Sequence, residues 1–249
     1  MRKSANAQTS DVLAIVGGAH RDPFGFLGPH RSGEDCVIRA FLPDAVSATV
    51  IDPTGQRILA VMERVHEAGF FVGRLKGRVH PGAYRLLVDW QGRKVEMDDP
   101  YRFPAWLGDL DVHLLSEGTH LEAQAKLGAH STTMDGVSGV AFAVWAPNAA
   151  RVSVVGAFNN WDGRRHCMRL RHGCGVWEIF IPGLASGERY KFEILGPGGA
   201  ILPLKADPYA GSAERTPATA SIVCSRSDFA WGDAEWMERR AQANDRRAP

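Results

Sequence analysis

Of all the side chains here, those best suited to holding a ligand stand together as Phe158, Asn159, Asn160 and Trp161, within VVGAFNNWDGRRHCMRL at 154–170. An indole flanked by amides suits a polyhydroxylated ring. The axial C–H groups of a pyranose form an apolar face that stacks on the indole, while amide, lysine and carboxylate groups bond the equatorial hydroxyls. Lys191, on the outward side of the Tyr190 strand, is the natural partner of Trp161, with Asn159 and Asn160 beside it. A structural reading fits the same residues equally well: Trp161 folds back over the edge of a β-sandwich, and Asn159 and Asn160 cap the turn.

Other groupings point to less. His166, Cys167, His172 and Cys174 cluster in sequence, but on a strand the two histidines would stand ~20 Å apart at ~3.3 Å per residue, too far for tetrahedral zinc. No metal site and no cofactor is expected, and Met168 and Leu170 read instead as the inner side of a hairpin strand. Cys36, Cys167, Cys174 and Cys224 form no CxxC pair and read as reduced thiols. Asp98, Asp99 and Asp207 precede Pro-Tyr turns, and Asp109 and Asp111 sit in a linker, so no catalytic residue is assigned. Lys and Arg number 29 against 28 Asp and Glu, which leaves no basic footprint for nucleic acid. No stretch reaches the ~18 apolar residues of a membrane span, and VLAIVGGA is too short and Gly-broken for a secretory signal. The balance favours a cytoplasmic location.

The elements that must position these residues come in two copies. VIRAFLPDAVSATVID (37–52) lies over AFAVWAPNAARVSVVG (141–156), an offset of 104 that sets Phe41 over Trp145 and Pro43 over Pro147. GFFVGRLKG corresponds to GVWEIFIPG, GAYRLLV to GERYKFEI, and both copies close on DPY. Tyr84, Leu86, Val88 and Trp90 alternate with polar residues, as do Tyr190, Phe192 and Ile194, while Trp177, Ile179 and Ile181 make another inward set. Short alternating strands with regular turn signals specify an all-β fold of two tandem immunoglobulin-like β-sandwiches with short linking helices. The expected divisions are an N-terminal segment (1–19), a first sandwich (20–106), a linker with a short helix (107–135), a second sandwich (136–228) and a C-terminal helical linker (229–249). The Thr119-x-x-Glu122 capping spacing places the first linking helix over 119–128, and Asp233 starts the second. HRDPFGFLGPH (20–30) is too rich in Gly and Pro for a regular element. Where the second copy spends GAFNNWDG, the first has only IDPTG, so the scaffold itself does not require the aromatic loop.

The second copy, with GVAFAVWAPNAARVSVVGAFNNWDGRRHCMRL, YKFEILGPGG and KADPYA, resembles the glycogen-binding β-sandwich that precedes the catalytic barrel in bacterial 1,4-α-glucan branching enzymes. HRDPFGFLGPH and LLSEGTHLEAQAKLGAH resemble the segments that open such enzymes and join their two amino-terminal sandwiches. Isoamylases carry a similar single module, and glycogen-binding kinase subunits share the FNNW loop and the YKF strand. The resemblance implies that Trp161 is a stacking ring and Lys191 a hydroxyl-binding lysine, with α-glucan (glycogen or malto-oligosaccharide) as ligand. A second tryptophan platform of those modules falls near Leu204 or Lys205 here, which implies weak affinity. It further implies that the carboxylates of branching belong to a (β/α)8 barrel, a partner domain outside these 249 residues, so this chain alone is expected to be inactive. A stand-alone glycogen-binding adaptor and a general immunoglobulin-like interaction protein are the competing readings.

Overall fold

The computed structural model describes residues 2–224 and 232–243, with backbone alone over 2–8. Eight strands build the first sandwich: β1 (Gly28–Ser32), β2 (Asp35–Phe41), β3 (Ser47–Ile51), β4 (Ile58–Val61), β5 (Glu63–His66), β6 (Phe70–Leu75), β7 (Arg85–Trp90) and β8 (Arg93–Met97). They pair antiparallel as sheets β1-β2-β6-β5 and β4-β3-β7-β8. The second sandwich repeats the plan with β9 (Gly128–Met134), β10 (Val137–Trp145), β11 (Arg151–Gly156), β12 (Arg169–Arg171), β13 (Val176–Pro182), β14 (Arg189–Leu195), β15 (Ser212–Ala213) and β16 (Ser221–Ile222). Its sheets run β12-β13-β10-β9 and β11-β14-β16-β15. In chain order, helix α1 (Arg2–Val16) precedes the first sandwich, α2 (Asp109–Glu117) lies between the two, and α3 (Ala234–Ala243) follows the second. No helix among the described residues is long and apolar enough to cross a membrane.

The alternating sets form the two cores. Ile38, Val50, Phe71, Tyr84, Leu86 and Val88 meet between the first pair of sheets. Val140, Phe142, Val152, Val154, Met168, Trp177, Ile179, Ile181, Tyr190 and Phe192 meet between the second, with Leu170 packed against them. Each core closes on the same polar lock. The Tyr84 hydroxyl donates to Asp99 Oδ2 at 2.6 Å, and Tyr190 to Asp207 Oδ2 at 2.6 Å. The other oxygen of each aspartate accepts the backbone N–H two residues on, at Tyr101 and Tyr209. Burial pushes both carboxyls above the ordinary carboxylate range, against those same hydrogen bonds. The DPY tripeptides are therefore buttresses of the fold.

The duplication reaches further toward the N-terminus than the sandwiches do. At an offset of 100, FLGPH lies over KLGAH, and Asp11 and His20 over Asp111 and His120. Both histidines face their aspartates, at 3.6 and 3.1 Å. His30 and His130 each bond the carbonyl of the leucine three residues back, Leu27 and Leu127, at 2.9 Å. Gly28 and Gly128 have φ of +80° and +102°, and a Cβ on either would press within 3 Å of the carbonyl oxygen of Tyr101 or Tyr209.

Three expectations are corrected. The linker helix lies at Asp109–Glu117, not over 119–128. Asp111 Oδ2 accepts the Gly108 N–H at 3.0 Å, Val112 and Leu115 face the sheet, and Gly118, left-handed at φ +71°, ends the helix before Thr119. The 20–30 stretch holds regular structure: a 3-10 turn at Pro23–Gly25 and the start of β1. The segment 128–134, assigned to the linker, is the edge strand β9, paired with β10 from Gly128↔Ala143 to Met134↔Val137. Around Asp233 the helix α3 forms as expected.

Candidate functional site

Strand β11 ends at Gly156, where a Cβ would lie 2.4 Å from both the Arg189 carbonyl oxygen and the Phe158 ring, so the chain can turn sharply only on glycine. The loop from Ala157 to Cys167 then folds back over the outward row of its own sheet. Arg151, Ser153 and Val155, facing away from the core on β11, are fully covered. The Arg151 guanidinium donates to the Gly163 carbonyl and to Glu193 Oε1, both at 2.5 Å, and to Ser153 Oγ at 3.1 Å. A buried cation thus pins the loop to the sheet.

The structure separates the four sequence-derived residues. Asn159 is 1% exposed. Its Oδ1 accepts the Gly156 N–H at 2.9 Å, and its Nδ2 donates to the Val154 carbonyl at 2.8 Å and to His166 Nδ1 at 2.9 Å. Every polar atom of this amide is committed to the turn, so Asn159 offers nothing to a ligand, which corrects its place among the candidates. Asn160 and Trp161 form the exposed rim, with the indole 41% accessible. Both stand in the left-handed region, at φ +57° and +58°. Asparagine adopts it readily, but a bulky residue there costs about 1–2 kcal/mol relative to glycine. The ring is kept at a position where the backbone favours Gly.

Lys191 lies on the same face. The Trp161 N–H donates to the Gly156 carbonyl at 2.9 Å, and the sheet register sets Gly156 opposite Tyr190 and Val155 opposite Lys191. Lys191 Nζ donates to Thr219 Oγ1 at 2.6 Å, leaving two of its three donors free for hydroxyls. Thr219 is a neighbour that linear reading missed, because β16 reaches β14 from far along the chain. Leu204, at the position of a second ring, is a partly exposed aliphatic side chain on a segment bridged to β14 through Lys205 and Phe192.

The underside of the loop does different work. Phe158, Asn159, Arg165 and His166 line a small cleft against Phe41, Trp90, Met97 and Tyr101 of the first sandwich. The Tyr101 hydroxyl donates to the Arg165 carbonyl at 3.3 Å and accepts the Cys167 N–H at 3.1 Å. Arg165 reaches Asp44 at 3.3 Å, and Arg169 donates to the Phe103 carbonyl at 2.9 Å while lying over the Phe24 ring. Burial, then the neighbouring Arg165, lowers the His166 pKa to about 4. Neutral His166 is what lets Nδ1 accept from Asn159. Burial opposes the charge of Asp162, but hydrogen bonds from Arg164 outweigh it and hold the carboxyl below its ordinary range. His172 and Cys174 lie in the β12–β13 turn, away from this network, and no cluster of metal-ligating side chains occurs among the described residues.

Two family models match the chain. Residues 126–210 match carbohydrate-binding module 48 (isoamylase N-terminal domain), and residues 8–101 match the alpha-1,4-glucan branching enzyme GlgB, N-terminal domain. The chain is 54% identical to the 1,4-alpha-glucan branching enzyme GlgB of Paramagnetospirillum magneticum, covering 97% of this chain and 32% of that protein. For the GlgB of Rubrobacter xylanophilus the figures are 54%, 96% and 32%, and for that of Pseudomonas putida 49%, 100% and 33%. The chain thus spans about a third of the length of these curated relatives. Among solved structures, a type I pullulanase from Bacillus subtilis complexed with maltose overlays with 16% identity and a TM-score of 0.36, covering 82% of this chain and 28% of that one, a likeness too loose to bear on function. The buttressed tandem sandwiches and these matches agree: the chain belongs to the amino-terminal region of the bacterial 1,4-α-glucan branching enzyme family, with the family's N-terminal domain at 8–101 and a carbohydrate-binding module 48 at 126–210.

Proposed function

We propose that the second sandwich binds α-glucan on the rim formed by Trp161, Asn160 and Lys191, and so holds and positions glucan chains for α-1,6 branching by a catalytic barrel in the full-length enzyme. The observation that carries this reading is the half-exposed indole held in left-handed backbone, where a plain turn would place glycine. A sugar face stacks on such a ring, and Lys191 and Asn160 supply donors and acceptors at its edge. One ring without a second platform makes a weak site. Further exposed apolar side chains at Trp145, Ile201 and Leu202 give the same sandwich a surface on which the barrel can rest.

A second reading has its own support. The underside of the loop packs on the first sandwich through Phe158, Arg165 and His166, so joining the two domains is itself a use for the FNNW segment. Measuring maltoheptaose affinity and the urea midpoint for Trp161→Ala separates the two. Lost affinity with an unchanged midpoint supports glucan binding, whereas unchanged affinity with a collapsed midpoint makes the ring structural and the sandwich a docking domain.

A further inference from the structure

The outer face of sheet β1-β2-β6-β5 differs from its counterpart in the second copy in a way the shared fold does not require. Register sets Arg39 opposite Val72 and Val37 opposite Arg74 on that face. The equivalent second-copy pairs are Ala143 opposite Glu178 and Ala141 opposite Phe180. There the face is filled: Phe103 packs on Ala141 and Phe180, and Leu107 on Ala143 and Val176. The Leu107 N–H also donates to Glu178 at 2.8 Å. In the first copy α1 packs Ile15, with Val12 and Val16, on the Phe41 and Phe70 end of the face. Among the described residues, the neighbouring part of the face lines a cavity of about 360 Å³, with Val12 and Leu13 of α1 on its other side.

Arg39 sits in that cavity without a counterion. Its guanidinium lies 4.7 Å from the Phe26 ring centroid, and Nη1 makes one long hydrogen bond, 3.4 Å, to the Phe26 carbonyl. Among the described residues no carboxylate reaches it as an ion pair. Asp11 acts on it only from a distance and faces His20. Glu63 lines the far side of the same cavity, separated from Arg39 by the Val72 strand. Arg74, diagonal to Arg39 on the same face, adds a second positive charge and pairs with Asp35 at 3.4 Å. Burial disfavours a cation that has no partner, so Arg39 loses some of its affinity for protons. A half-buried guanidinium fork held against Phe26, with one long bond to protein and a second arginine beside it, suits an oxyanion.

We infer that the cavity beneath α1 in the first sandwich is a binding site for a small organic oxyanion, a phosphate or carboxylate group on a body of monosaccharide size. The anion lies between Arg39 and Arg74, and the body rests on Val37, Val72 and Leu13. The Phe26 ring is already taken by Arg39, His20 and Phe70 and offers no open face for stacking a neutral sugar. This site is distinct from the Trp161 rim, and its success or failure leaves the glucan-binding reading untouched.

Calorimetric titration of the whole chain with glucose 6-phosphate, gluconate and glucose tests the inference. Glucose 6-phosphate or gluconate should bind saturably and glucose should not, with the stronger of the two anions identifying the charged group preferred. Arg39→Gln should weaken anion binding about tenfold or more, and Arg74→Gln less. Leu13→Glu, at the exposed lip on α1, should also weaken it through repulsion without touching the core. Equal binding of glucose, full affinity in the Arg39→Gln and Leu13→Glu variants, or no saturable heat with either anion up to about 10 mM would overturn it.

Discussion

One scaffold carries two very different turns. After β3 the first sandwich closes with Asp52 to Arg57, where the Asp52 carboxylate accepts the Gln56 and Arg57 N–H groups at 2.9 and 3.1 Å and the Thr54 hydroxyl at 3.0 Å. One side chain finishes that turn. After β11 the second sandwich spends Ala157 to Cys167, buries a guanidinium beneath them, docks their underside on its neighbour and leaves an indole outside. The short turn shows what the fold needs. Everything the long loop adds belongs to joining the two sandwiches and to the Trp161 rim.

The largest effect expected from breaking this contrast is at Arg151. Arg151→Met strands Glu193 and frees the loop, and removing one partner of a buried pair costs about 3–5 kcal/mol. The matching position in the first copy is Ser47, exposed at the start of β3, and Ser47→Ala should change the unfolding free energy by no more than ~0.5 kcal/mol. Equal effects would mean that the loop is not anchored through the guanidinium.

The shared locks should respond alike. Tyr84→Phe and Tyr190→Phe each remove a 2.6 Å bond to a buried aspartate, and each should cost ~1.5–3 kcal/mol in denaturant unfolding. A large cost in one copy and none in the other would show that the two locks are not equivalent.

Next comes a pH dependence that belongs to the long loop. His166 titrates at about 4 in the fold against 6.5 for the free side chain. The unfolded chain therefore takes up the proton first. Stability is full above pH 6.5 and is lost as pH falls toward 4, by on the order of 3 kcal/mol from this residue. Urea midpoints measured between neutral and acid pH should show this loss, and His166→Gln should flatten it. An unchanged slope in the variant would place the acid sensitivity elsewhere.

The smallest effect is at the rim. Trp161→Ala should remove ~1–2 kcal/mol of maltoheptaose binding, and Lys191→Ala should weaken binding in parallel. Trp161→Gly should lose the same affinity while relieving the left-handed strain, so its folding stability should equal or exceed that of Trp161→Ala by about 1 kcal/mol. Pro53→Ala, in the short turn, should leave binding untouched. Binding unaffected by Trp161→Gly would remove the indole from the site.

The period-2 patterns were legible because a strand's own alternation sorts core from surface: Tyr84, Leu86 and Val88, and Trp177, Ile179 and Ile181, all point inward as read. The Thr119 capping pattern misled because Gly118, just before it, ends the preceding helix. The offset of 100 that pairs FLGPH with KLGAH was present in the sequence. It differs from the 104 of the sandwiches, and a single-offset comparison passes over it. Asn159 and Trp161 stand two residues apart in one motif, and composition could not tell the committed amide from the open ring.

By itself, then, the sequence determined the duplicated all-β plan, the inward faces of its strands and the place where the second copy departs from the first. Alternation and repetition are local properties, written residue by residue. The tertiary structure alone decided that Asn159 turns inward, that Thr219 meets Lys191, that Tyr101 bridges Arg165 and Cys167, and that Arg39 lies without a counterion under α1. Each of these depends on which distant backbone or side chain arrives to satisfy or leave bare a polar group, and that is fixed only when the sheets pack.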